Sequence, residues 1–372
     1  MTTLGTMHGM HGMHGMHGMH GMHGMHGMHG MHGMHGMHGM HGMHGMHGMG
    51  AAGPGAEAGQ QSAAEAILHA AGLDPLPAAG ITQLTPNSAA NMRRWAPEVR
   101  ALLIQQAVAR QLGHAVDPAG THVSLTWSGN ALVTLYRPTD ATLAPQCDIV
   151  RFYADQRGDR SAEVFSQMDA FAAYFGHLLG LTSARNPRTL ELLALVPTIA
   201  GPATMVPKHV FAVRRPAEID VRVAALIGTP GHGAFPSGHA TQAMALAVVC
   251  EALIRANPGH FPDADIRVDL CYRAAQRIAV NRTVAGVHYP MDSAAGARMG
   301  LQIGRALVAM GTTGGTLADL GPFDPNLAPG KDYLYEETHA LWTATPAGTP
   351  IGVEPDPLLG WLWSQAAAEF GL

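Results

Sequence analysis

Charged side chains are scarce in this chain. Of 372 residues only 13% are Asp, Glu, Lys or Arg, and lysine occurs just twice, at Lys208 and Lys331. The formal net charge is −5. Gripping nucleic acid through its phosphates requires a basic excess, so no nucleic-acid partner is expected. Low charge suits a membrane, which makes long apolar runs the next test. Val223 to Cys250 carries no charged side chain, but Pro230, His232, Pro236 and His239 interrupt it. Leu192 to Pro207 is also uncharged and is broken by Pro197, Pro202 and Pro207. Neither offers the roughly 20 uninterrupted apolar residues of a bilayer span, so no transmembrane segment is expected. Cysteine is sparse and odd in number: Cys147, Cys250 and Cys271. That set makes no disulfide framework and reads as small core residues in a reducing compartment. No basic start and apolar core mark a secretory signal, so a cytoplasmic location is expected, with export left open.

What is abundant lies at the start. Met-His-Gly recurs fourteen times from Met7 to Gly48. Glycine is costly to order and histidine is mostly polar, so residues 1–50 are expected to be disordered. Imidazole and thioether suit copper, and imidazole alone suits nickel or zinc. A metal-handling protein is therefore one function class, and repeat expansion without a selected role is the plain alternative.

Beyond the repeat, residues 51–87 read as a linker with a short helix, and 88–310 as a mainly α-helical domain. The fold class is all-α with a minor β-hairpin. Met92, Trp95, Val99, Leu102 and Leu103 keep helical spacing between Ser88 and Gly113, with Pro97 in a first turn or at a break. Val123, Leu125 and Trp127 alternate with polar residues, Ser128-Gly129-Asn130 makes a turn, and Val133 and Leu135 alternate again. Phe165, Met168, Ala172, Phe175 and Leu179 predict one helix, and Asn186-Pro187 a capped helix start. Ala240 to Ile254 is almost wholly apolar and should be buried all round. Ile266 to Val280 is amphipathic, and Asp292 to Met310 is rich in Ala and Gly for close packing. Residues 311–372 read as an irregular extension ending in a helix near Leu358 to Phe370, whose Trp361 and Trp363 dock on the bundle.

Three segments carry the chemistry. They are Lys208 with Arg215-Pro216, then Pro236-Ser237-Gly238-His239, then Arg282, His288 and Asp292. Each alone is weak. Together they describe an oxyanion site. Ser237-Gly238-His239 enters a buried helix, whose N-terminus presents backbone N–H groups and a positive dipole end. Lys208, Arg215 and Arg282 add positive charge, and arginine can grip two oxygens at once. His288 and Asp292 stand four apart. If Tyr289-Pro290 opens a helix, the carboxylate holds Nδ1–H and leaves Nε2 to attack or ligate. His239 supplies a second imidazole for proton transfer.

Lys-x6-Arg-Pro, Pro-Ser-Gly-His and Arg-x5-His-x3-Asp, in this order, resemble the three motifs shared by type 2 phosphatidic-acid-phosphatase-like enzymes and vanadium-dependent haloperoxidases. The resemblance spans about Leu190 to Gly304, with Asn281 standing where Ser often precedes the third-motif Arg. It implies a helical bundle with the motifs at one end. On the haloperoxidase side it implies vanadate as cofactor, with His288 as its axial ligand, and hydrogen peroxide, a halide and an organic acceptor as partners. Lys208, Arg215, Ser237, Gly238 and Arg282 would bind the equatorial oxygens. His232, seven residues before His239, resembles an extra active-site histidine of algal bromoperoxidases and favours bromide or iodide. On the phosphatase side, His288 would attack phosphorus and His239 would protonate the leaving oxygen. Oligomeric state stays open, a homo-oligomer included.

Overall fold

The computed structural model describes residues 83–169, 171–344 and 348–371, with positions 63, 65 and 66 before them. The Met-His-Gly tract and most of the following linker lie outside the described residues.

In chain order the first helix is α1 (Pro97–Ala109), with Pro97 in its first turn where no N–H is needed. A short 3-10 helix (Ala89–Arg94) precedes it. Strands β1 (Leu112–Val116), β2 (His122–Trp127) and β3 (Asn130–Tyr136) then form an antiparallel meander. Ser128 and Gly129 both have positive φ, 49° and 82°, in the two-residue loop that joins β2 to β3. That backbone twist matches the twist of the strands, so the expected hairpin forms. β1 is a departure from the expectation of helix up to Gly113. Leu112 to Val116 holds little strand signal of its own and becomes a strand by pairing with β2.

Helices α2 (Asp140–Phe152), α3 (Arg157–Ser166) and α4 (Ala172–Leu178) follow. The single helix read from Phe165 to Leu179 is two. The chain breaks between Ser166 and Ala172, Phe165 and Met168 face solvent, and only Phe175 and Leu179 of that stripe reach deep into the core. Helix α5 (Pro187–Ala200) starts at Asn186 as expected, but Asn186 makes no cap bond. The Glu369 carboxylate does that work from the far end of the chain, accepting the N–H groups of Arg188 (2.8 Å) and Thr189 (2.9 Å).

After a 3-10 turn come α6 (Met205–Phe211) and α7 (Pro216–Ile219). Pro197 sits inside α5 without ending it. The stretch Pro187–Ile219, which runs through α5, the 3-10 turn, α6 and α7, is long and apolar enough, by length and composition alone, to cross a membrane, with a mean hydropathy of 1.5 over its most apolar part. More than half of that part, 56%, is buried within the protein.

The centre is α8 (Gly238–Ala256), flanked by α9 (Ala264–Val284) and α10 (Pro290–Gly311). Ala240, Ala243 to Cys250, Leu253 and Ile254 are all buried, as their composition requires. Gly296, Gly300 and Gly304 line the face of α10 that meets α8. A Cβ on Gly296 would collide with the Ser237 carbonyl, one on Gly300 with the Thr241 carbonyl, and one on Gly304 would lie 2.7 Å from Val248 Cβ. These glycines let the two backbones meet, and that contact sets the N-terminus of α8 beside the N-terminus of α10.

Toward the C-terminus, β4 (Gly315–Leu317) pairs with β6 (Ile351–Val353), and β5 (Pro322–Phe323) adds a parallel edge to β3. Helix α11 (Tyr335–Thr343) was not anticipated. Its Trp342 stacks on Tyr272 of α9, with centroids 4.4 Å apart and planes within 2°. Helix α12 (Pro357–Ala368) docks as expected. Trp363 is buried, and Trp361 lies under the guanidinium groups of Arg100 and Arg188. The fold is mainly α-helical with small sheets.

Candidate active site

The three sequence segments meet at one end of α8 and α10. Helix α6 delivers Lys208, which is buried, and Ala212 ends the helix in the left-handed conformation at φ 48°. The chain then runs extended to Arg215, whose N–H is accepted by the Glu218 carboxylate at 2.6 Å. Lys208 Nζ donates to the carbonyls of Gly233 (2.9 Å) and Ala234 (3.0 Å), leaving one N–H uncommitted. The loop carrying those carbonyls comes close only because residue 233 is glycine. A Cβ there would lie 2.6 Å from the Lys208 carbonyl oxygen.

The same loop leads into α8. Ser237 is its N-cap, with Oγ accepting from Ala240 N at 3.4 Å, and Ser237 N–H donates to the Asp292 carbonyl at 2.9 Å. That last bond ties the second segment to the third. Gly238 is the first residue of the helix, followed by His239.

Helix α9 ends just past Arg282, and the chain turns through Gly286 to His288 at the mouth of α10. Asp292 Oδ2 lies 2.8 Å from His288 Nδ1 and accepts Tyr289 N–H at 3.0 Å. Arg215 Nη1 stands 2.9 Å from His288 Nε2. A guanidinium only donates, so Nε2 carries the lone pair and Nδ1 carries the proton. Burial, helped by the charges of Arg215 and Lys208, holds His288 well below the ordinary imidazole range, so the ring is neutral. Burial pushes the Asp292 carboxyl up to about 7, against the opposing pull of the Tyr289 N–H and the two cations.

Arg215 is the hub. It donates from Nε to the His232 carbonyl (3.2 Å) and from Nη1 to the Val287 carbonyl (2.7 Å), and its Nη2 stands 3.1 Å from His232 Nδ1, an atom that also lies 3.1 Å from the Gly233 carbonyl. The structure thus brings His232 to the site, at its exposed rim. Arg282 is buried, and burial pushes it down to about 10. Its Nη2 donates to the Val164 carbonyl at 2.9 Å, while Nε and Nη1 have no partner among the described residues. His239 turns Nε2 to the Gln167 carbonyl at 3.1 Å and packs its ring 5.3 Å from Phe171. A carbonyl only accepts, so Nε2 carries the proton and Nδ1 the lone pair. Burial, then the charge of Arg282, pushes His239 down to about 3. His239 in turn helps to hold His288 low, so the two imidazoles share one environment.

All nine residues singled out from the sequence therefore gather around this end. Sequence reasoning missed Val164, in the last turn of α3, and Gln167, just past its end. Gln167 is a lone polar residue between Phe165 and Met168 of the apolar stripe, and no local pattern marks it. Asn281 was noted as a departure; its Nδ2 donates to Gln167 Oε1 at 2.8 Å. Among the described residues, no cluster of three or more His, Cys, Asp or Glu side chains could hold a metal cation. The arrangement instead suits an oxyanion: three cations, a helix N-terminus and one neutral imidazole with its lone pair directed inward.

Residues 189–314 match the family model of the PAP2 superfamily. No curated protein matches the chain.

Proposed function

Taking residues 189–314 as a PAP2-superfamily region, we propose that this chain is a vanadate-dependent haloperoxidase that oxidises bromide or iodide with hydrogen peroxide. Members of the superfamily are generally enzymes, phosphatases and haloperoxidases among them. The donor set fits vanadate. Among the described residues, Arg282 Nε and Nη1 are buried donors without partners, and His288 Nε2 offers a lone pair. His288, Lys208, Arg215, Ser237, Gly238 and Arg282 would hold the anion. When bound, vanadate supplies Lewis-acid activation of hydrogen peroxide toward the halide.

The chain's own residues do the remaining work. Asp292 holds Nδ1–H and so aims Nε2. Arg215 gives up its bond to Nε2 in favour of an anion oxygen, a charge-assisted bond stronger than the one lost. His239 accepts a proton at Nδ1, the ring nitrogen not committed to Gln167. Lys208 offers its third N–H. Free, buried Cys147, Cys250 and Cys271 suit a reducing, cytoplasmic setting, which forms part of the proposal.

The observation that carries the haloperoxidase reading is His232 Nδ1 at 3.1 Å from Arg215 Nη2. It puts a third imidazole at the rim, where a halide would approach the anion. A phosphomonoesterase reading uses the same atoms and is favoured by the neutral His288 Nε2, which is what attack on phosphorus requires. Phosphoryl transfer passes through a state with charge on three equatorial oxygens, so one site serves both shapes. The experiment is to incubate the purified protein with orthovanadate and follow bromination of phenol red in hydrogen peroxide and bromide. Vanadate-dependent and halide-dependent bromination is expected. Rapid hydrolysis of p-nitrophenyl phosphate, inhibited by vanadate and without halide-dependent peroxide consumption, would make the protein a phosphatase.

A further inference from the structure

We propose that Gln167 is a positioning residue of this site, holding Arg282 in the orientation that keeps Nε and Nη1 available to the oxyanion. The proposal rests on the oxyanion reading above. Gln167 lies in the break between α3 and α4, and only 1% of it is exposed. Its amide is oriented from both ends. Oε1 accepts from Asn281 Nδ2 at 2.8 Å and from Arg282 Nη2 at 3.4 Å. Nε2 donates to Glu163 Oε1 at 3.1 Å, and Glu163 is itself paired with Arg277 at 2.7 Å. Flipping the amide would set its NH2 against two donors and its oxygen against a carboxylate, so one orientation is enforced.

The consequence falls on Arg282. An arginine side chain is long and rotatable, and it loses entropy when it must hold one geometry. Here one terminal nitrogen, Nη2, is tied to the Val164 carbonyl and Gln167 Oε1, so the guanidinium is set before any anion arrives. The main chain of the same residue holds the other arm of the site, since the Gln167 carbonyl accepts from His239 Nε2. Asn281 explains why a glutamine suits position 167: it supplies the side-chain donor that turns Oε1 toward Arg282.

The test is a double-mutant cycle read by binding rather than turnover. Gln167→Met keeps the volume and removes the acceptor, while any residue preserves the main-chain carbonyl for His239. Orthovanadate and, separately, inorganic phosphate are titrated by calorimetry into full-length wild type, Gln167→Met, Arg282→Lys and the double variant. Gln167→Met is expected to weaken both anions about tenfold, the low end of losses seen for groups that orient a ligand. In the Arg282→Lys background the same change is expected to cost less than about twofold, because the effect runs through Arg282. Unchanged binding in Gln167→Met, or equal weakening in both backgrounds, overturns the proposal. Should Gln167→Met fail to fold by circular dichroism, Gln167→Ser, whose vacated space water can fill, goes through the same cycle with the same outcomes. Wild type that binds neither anion would instead sink the oxyanion reading itself, which keeps the two failures distinguishable.

Discussion

Arg215 donates through Nη1 to His288 Nε2 at 2.9 Å, so the guanidinium sits on the atom that must ligate or attack. The bond does two things. It fixes the imidazole tautomer together with Asp292, and it couples anion entry to a change of partner for Arg215. An oxyanion competes for Arg215 and relieves Nε2 at the same moment.

The first prediction follows from that pairing. His288→Ala removes the lone pair and should abolish activity and orthovanadate binding while the protein stays folded. Asp292→Asn keeps the shape but weakens the hold on Nδ1–H, and a loss of about 10–100-fold is expected. Steady-state kinetics and vanadate titration on both variants check the order. Full activity in His288→Ala would remove the basis of the mechanism.

Bromide oxidation should depend on His232 more than anion binding does. The His232 ring touches Arg215 through one bond at the rim, while Arg215 keeps its bond to the Val287 carbonyl. His232→Ala is expected to lower bromide turnover about tenfold or more, a change of the order seen when an orienting partner is lost, and to leave the vanadate Kd within about threefold. Equal losses in both would assign His232 to anion binding instead.

The two neutral imidazoles of the site, His288 buried and His239 half-buried, set the acid limit of stability. His239 is pushed down to about 3 and His288 well below its ordinary value, mainly by burial, so both stay neutral in the folded protein and take up protons on unfolding. The unfolded state then binds more protons below the ordinary imidazole pKa of 6.5, and stability falls as pH drops from there toward about 3. Asp292 acts in the opposite sense. Its carboxyl is raised from 3.8 to about 7, so its contribution is full below 3.8 and is lost as pH rises toward 7. Two histidines outweigh one carboxyl on the acid side. In His239→Asn the melting temperature should therefore depend less steeply on pH between about 4 and 6.5 than in wild type. Parallel curves from thermal melts across that window would contradict the half-buried, neutral His239.

Close packing of α8 on α10 should tolerate no methyl group at its centre. A Cβ on Gly300 meets the Thr241 carbonyl and Met244 Cβ. Gly300→Ala should destabilise the fold by about 1–3 kcal/mol, the usual cost of overpacking. It should also weaken anion binding, because the shift separates Ser237 N from the Asp292 carbonyl. Urea unfolding and phosphate titration check the two effects together.

Removing residues 1–50 should leave melting temperature and turnover nearly unchanged, since every side chain assigned to the site lies between Gln167 and Asp292. Copper and nickel uptake should fall sharply, because the repeat holds most of the chain's His and Met side chains. A large loss of turnover at saturating vanadate would tie the tract to catalysis.

The sequence by itself determined the chemistry of the site. Lys208, Arg215, Ser237, Gly238, His239, Arg282, His288 and Asp292 stand in short segments whose spacing is local. His288 and Asp292 meet because both sit at the start of one helix, and Ser237 caps α8 because Pro-Ser-Gly precedes an apolar helical run. The central helices were legible for the same reason, as periodicity and composition act over a few turns. The tertiary structure alone decided the rest. The strand at Leu112–Val116 exists through its pairing with β2, and the break between α3 and α4 overrides a stripe that reads as one helix. Glu369 caps α5 from the opposite end of the chain. Gln167 meets Arg282 from 115 positions away. Such contacts leave no periodic trace, because their partners are chosen by packing in three dimensions rather than by spacing along the chain.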